Sequence, residues 1–128
     1  MNRQTIGLAA ILGATGIVLG AFGAHSLKEV LEPASLAVFE TGVKYQMYHA
    51  LFLLFVGMSP LVTEKAKKPI FILVLAGVLF FSGSIYFLAC DAILPFSIKK
   101  FGFITPIGGL LLITAWVILF LQIMKRKG

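Results

Sequence analysis

Residues 13–25 read GATGIVLGAFGAH, and the fold turns on how this stretch is read. Four of its thirteen residues are glycine and three are alanine, yet all but the final His25 lie inside an apolar run from Thr5 to Ala24. About 20 such residues carry a helix across the hydrocarbon core. Three further runs have the same character: Tyr45 to Val62, Pro69 to Cys90 and Pro106 to Met124. The expectation is an all-α integral membrane four-helix bundle, with residues 1–128 forming a single transmembrane domain. Arg3 and the small residues Ala21, Gly23 and Ala24 imitate a secretory signal. The apolar run exceeds the roughly 7–15 residues of such signals, so a retained helix is expected.

Composition agrees. Charged residues make up 12% of the chain and the mean hydropathy is +1.02, against about 25% charged in soluble domains. The net charge of +6 does not indicate nucleic acid, because Lys and Arg occur in short clusters between apolar runs rather than among exposed aromatics. Cys90 is the sole cysteine, which excludes an internal disulfide and a multi-cysteine metal site. With four spans, Arg3, Lys65, Lys67, Lys68, Lys125, Arg126 and Lys127 share one side, and Lys28, Lys44, Lys99 and Lys100 the other. The excess of positive residues predicts that both termini are cytoplasmic.

The glycines follow from the solvent. Between helices in lipid there is no hydrophobic drive, so association relies on close packing and interhelical hydrogen bonds. Ala9, Gly13, Gly16, Gly20 and Gly23 step by four, three, four and three, which marks one helix face. They are expected to form a packing seam, with Leu8, Ile11, Leu12, Val18, Leu19 and Phe22 on a lipid-like face opposite. Glycine is also simply frequent in membrane helices. The regular step favours the seam.

Polar residues supply the remaining signal. Pro33 suits a first helical turn, so the second helix could begin there and reach about Ser59, its first half lying in the interface or projecting outward. Gln46 and His49 share a face of it, flanked by Tyr45 and Tyr48. The third run carries Ser82, Ser84 and Tyr86 and ends at Asp91. Thr105 is expected to cap the fourth helix, with Pro106 in its first turn and Gly108 and Gly109 allowing close approach. Trp116 reads as a packing or lipid-facing aromatic. His25, Tyr45, Gln46, His49, Ser82, Ser84, Tyr86, Asp91 and Thr105 all map to the outer half, leaving an inner half of Leu, Ile, Val and Phe. Such a cluster is either functional or an interhelical lock.

Taken in order, GAFGAH, YQMYHALFLL, FSGSIYFLA and ITPIGG followed by AW resemble the domain-of-unknown-function 423 family of small bacterial membrane proteins, to whose wider group transmembrane protein 256 belongs. The resemblance runs from Gly7 to Trp116. It implies a multi-pass bundle in the bacterial plasma (inner) membrane and assigns no activity, cofactor or catalytic residue.

Four functions remain open. One is a structural or accessory protein that binds lipid, a membrane-protein partner or further copies of itself. Another is a component for transport of a small solute or ion, against which stands the lack of a carboxylate deep in any span. A metal or haem site could use His25 and His49, with Asp91 as a third ligand, although no tight ligand motif is present. A hydrolase could be drawn from Ser82 or Ser84 with His49 and Asp91, but neither serine sits in a nucleophile elbow. The small-molecule ligand, if there is one, is not specified by the sequence.

Overall fold

The structure is a computed structural model and describes residues 2–125. Arg126 and Lys127, counted above for orientation, lie outside the described residues. Among the described residues every regular element is helical.

Helix α1 spans Arg3–His25 and is started by Asn2, whose side chain accepts the Thr5 N–H at 2.9 Å. That bond satisfies one of the donors left open at any helix start. A single 3-10 turn, Leu27–Glu29, leads to α2, Pro33–Met58, with Pro33 in the first turn. The connection from Ser26 to Lys44 is thus mostly helix. Leu27 and Leu31 fold back to form a small core with Phe39 and Ala89, closing that end of the molecule.

Helix α3, Glu64–Val78, starts at Thr63, whose hydroxyl accepts the Ala66 N–H at 3.1 Å. It begins before Pro69, where hydropathy placed the edge of the span. Leu79–Gly83 then adopts a π-helical segment, and α4, Ser84–Ala89, completes the crossing. A π segment inserts one residue into a helical ladder. Two short 3-10 turns, Asp91–Ile93 and Lys99–Phe101, link α4 to α5, Ile104–Lys125. Thr105 falls inside α5 rather than capping it, and its hydroxyl is engaged elsewhere.

Three helical stretches, Arg3–Glu29, Glu64–Ala89 and Lys99–Lys125, are long and apolar enough to cross a membrane. Helix α2 is a further long helix that falls short in apolarity, because Lys44, Tyr45, Gln46, Tyr48 and His49 interrupt it.

Helix α2 is the central element. It packs along α1 on one side and against α3, the π segment and α4 on the other, while α3 pairs with α5. The main core is built from Ala9 and Leu12, Phe52, Leu53 and Val56, Ile70, Val74 and Val78, and Leu112, Ala115 and Leu119. Leu12, expected on the lipid-like face, is buried here, because it joins the main core with residues of α2 and α3.

Close approach by glycine is densest between α3 and α5. A Cβ on Gly108 would lie 2.4 Å from the Phe81 backbone nitrogen and 2.9 Å from the Gly77 carbonyl oxygen. Only hydrogen fits there.

Candidate functional site

Along α1 the glycines face a descending series on α2. Gly13 meets Ala50, Gly16 meets Met47, Gly20 meets Val43 and Gly23 meets the Phe39 ring. This pairing fixes the depth of every polar group on α2. Gln46 and His49 stand opposite the middle of α1. Hydropathy alone centred the second run on its purely apolar half, after Ala50. The helix in fact packs along α1 from Phe39 onward.

Gln46 is buried and joins three helices. Its amide nitrogen donates to the Leu12 carbonyl of α1 at 2.9 Å and to the Thr15 hydroxyl at 2.8 Å. Its amide oxygen accepts the Tyr86 hydroxyl of α4 at 2.6 Å. The Thr15 hydroxyl in turn donates to the Ile11 carbonyl. Tyr86 reaches α2 because Gly42 leaves room: a Cβ there would lie 2.7 Å from the Tyr86 ring. Beside it, the buried Ser82 hydroxyl donates to the Gly42 carbonyl at 2.7 Å.

His49 forms a second bridge. The Trp116 indole N–H of α5 donates to its Nε2 at 3.1 Å. An indole nitrogen only donates, so Nε2 accepts and Nδ1 carries the proton, which it gives to the Tyr45 carbonyl at 2.7 Å. Both ring nitrogens are thereby used. Trp116 also packs against Phe52 with its ring tilted by 43° and the centroids 4.2 Å apart, and Tyr45 packs on Phe81.

The remaining expected residues do not join these two centres. Ser84 bonds the Thr105 hydroxyl and the Phe80 carbonyl, tying α4 to α5. Asp91 accepts the Ile98 N–H at 3.0 Å and pairs loosely with Lys99 at 3.9 Å, holding the last connection closed. His25 lies exposed at the end of α1, beside Ser26, Lys28 and Glu29. Gly23 at its end of α1 faces Phe39, ten residues along α2 from His49, or roughly 15 Å of helix. The two histidines therefore do not converge on one ion. Among the described residues no three His, Cys, Asp or Glu side chains gather as metal ligands. Neither serine bonds His49. The expected cluster is thus several separate bridges at different depths.

The opposite end is more polar than the sequence suggested. Lys67 is only 1% exposed. Its ammonium donates to the Gly57 carbonyl at 3.2 Å and reaches the Glu64 carboxylate at 3.4 Å. The same carbonyl accepts the Asn2 N–H at 2.9 Å, so one oxygen near the end of α2 ties in the starts of α1 and α3. The Thr63 hydroxyl donates to the Gln122 amide oxygen of α5 at 3.2 Å. Thr15, Lys67, Trp116 and Gln122, none of them among the expected cluster residues, also make bonds between elements. Their spacing carries no motif, and each makes at least one bond to another helix or turn.

Long apolar helices joined by such internal bridges define a multi-pass membrane protein. A family described as a protein of unknown function (DUF423) matches residues 19–109. The UPF0382 membrane protein SAB0533 of Staphylococcus aureus is 40% identical, over 94% of this chain and 98% of its own. The UPF0382 membrane protein YwdK of Bacillus subtilis is 37% identical over 92% and 94%, and the UPF0382 inner membrane protein YgdD of Escherichia coli 30% over 99% and 95%. The chain belongs to this family of bacterial membrane proteins. No solved structure matches it.

Proposed function

We propose that the chain is a structural or accessory protein of the bacterial cell membrane: a four-helix bundle in which α2 also crosses, with both termini cytoplasmic. The carrying observation is Gln46, which spends all of its amide donors and its carbonyl on α1 and α4. A solute path needs polar groups left open to a passing ion or water. Here Gln46, His49, Ser82 and Ser84 are taken up in bonds between or within helices. Interhelical hydrogen bonds of this kind hold membrane bundles together. Among the described residues, the Thr5 hydroxyl is the one buried side-chain polar atom without a hydrogen-bond partner.

Helix α2 crosses because its outward surface suits lipid. Tyr48, Leu51, Leu54, Phe55 and Met58 are exposed along it, while Gln46 and His49 turn inward. Arg3, Lys65 and Lys68 then mark the cytoplasmic side. The α1 glycine face acts as a seam within the chain, so any homo-oligomer or membrane-protein partner uses another surface.

Cysteine scanning in a Cys90→Ser background tests this. Cysteine at Gln46 or His49 should stay unlabelled by a water-soluble thiol reagent in intact cells. Cysteines at Lys65 and Lys99 should label from opposite sides. Ready labelling at 46 and 49 would replace the accessory reading with a solute path.

A further inference from the structure

The connection between α4 and α5 has a feature that the bridges do not use. Phe87 and Leu88 of α4, Phe96, Ile98 and Phe101 of the connection, and Ile104 of α5 enclose an apolar cleft of about 340 Å³. Its floor polarity is spent, since the Ser84 hydroxyl already bonds Phe80 and Thr105. Its rim is basic. Lys99 and Lys100 sit in the 3-10 turn between two of the lining residues, Ile98 and Phe101. The Lys100 ammonium stands 5.2 Å from the centroid of the Phe101 ring, above one wall.

From this arrangement we propose that the cleft and Lys100 form a binding site for one anionic phospholipid, with an acyl chain in the cleft and the phosphate at the ammonium. The crossings by α3–α4 and by α5 put this connection at a membrane face, where Phe96, Phe101 and Phe103 are exposed. The acyl chain gains little from leaving bulk lipid, because both surroundings are equally apolar. Selection therefore comes from charge. Asp91 is the acidic group nearby, and its carboxylate is committed to the Ile98 N–H and to Lys99. Lys99 is thereby partly neutralised and clasps the connection, while Lys100 remains as the headgroup cation. A lysine near an anionic surface contributes about fivefold in binding.

The proposal deepens the accessory reading by naming its lipid, and it requires only the two crossings that flank the connection. Native mass spectrometry of the full chain released from detergent measures it, with phosphatidylglycerol titrated against phosphatidylcholine of the same acyl chains. Wild type should retain phosphatidylglycerol preferentially, Lys100→Gln should lose about fivefold of that preference, and Lys65→Gln, which removes the same charge at the other end, should keep it. Equal retention of both lipids by wild type, or equal loss in both variants, overturns the site. Because labelling at 46 and 49 is read separately, failure here leaves the accessory reading standing, and failure there leaves this site standing.

Discussion

Replacing Gly108 by alanine should destabilise the protein more than the same change at Gly16, although Gly16 belongs to the more conspicuous glycine series. At Gly108 the new methyl would lie 2.4 Å from the Phe81 nitrogen and 2.7 Å from the Phe80 carbonyl carbon. Ordinary contact begins near 3.4 Å, so α5 and the π segment must part by about 1 Å. These are backbone atoms and cannot rotate aside. Forced overpacking costs about 1–3 kcal/mol, and rigid neighbours put this case at the upper end. Alanine recovers about 1 kcal/mol through helix propensity, leaving a net loss of about 2 kcal/mol. At Gly16 the closest atom is the Met47 sulfur at 2.7 Å, the end of a flexible side chain that can move. There the propensity gain offsets the strain, and the net effect is within about 0.5 kcal/mol of zero. Thermal unfolding in detergent followed by circular dichroism should show a fall of about 5–10 °C for Gly108→Ala and almost none for Gly16→Ala. Equal stability of Gly108→Ala and wild type would refute the backbone contact between α5 and the π segment.

Three further outcomes are expected. Gln46→Leu removes three cross-helix bonds, each worth about 0.6 and at most about 1.7 kcal/mol in a membrane. It should lower stability to unfolding in dodecyl sulfate by about 2 kcal/mol, and Tyr86→Phe by about a third of that; a Gln46→Leu variant as stable as wild type would count against the bridge. A double-mutant cycle with His49→Phe and Trp116→Phe should show coupling of about 0.6 kcal/mol, whereas additive effects would mean the indole and imidazole are not bonded. Burial pushes the Cys90 thiol up, and because the thiolate is the reactive form, alkylation of the folded protein should rise at higher pH than alkylation of the unfolded chain. Coincident pH profiles would show the thiol to be solvated.

Three of the long helices were legible because apolarity is a sum over 20 residues and survives any uncertainty at the ends. Helix α2 was legible as a helix, since Pro33 to about Ser59 matches Pro33–Met58. Its apolar span, however, was set at Tyr45–Val62, because its polar residues lower the sum just where the helix runs along α1. Depth followed from the glycine pairing, which is a property of two helices and not of either sequence. The α1 glycines were visible as a period, but Gly42, Gly57 and Gly77 were not, since each stands alone opposite a bulky partner such as Tyr86, Ile6 or Leu112. Lys67 looked like a loop charge because nothing local shows that the end of α2 closes over it. Trp116 looked like a packing residue because its acceptor is 67 positions away.

The π segment at Leu79–Gly83 has a consequence for how such a chain can change. One inserted residue turns all that follows by about 100°. Helix α3 addresses α5 through Gly77, whereas Ser82 within the segment and Tyr86 beyond it address α2. The stretch Glu64–Ala89 is in effect two helices out of phase. Substitutions in α4 act within that phase. Deleting Phe80 or Phe81 would rotate Tyr86 away from the Gln46 amide and break that bridge while both of its residues were still present.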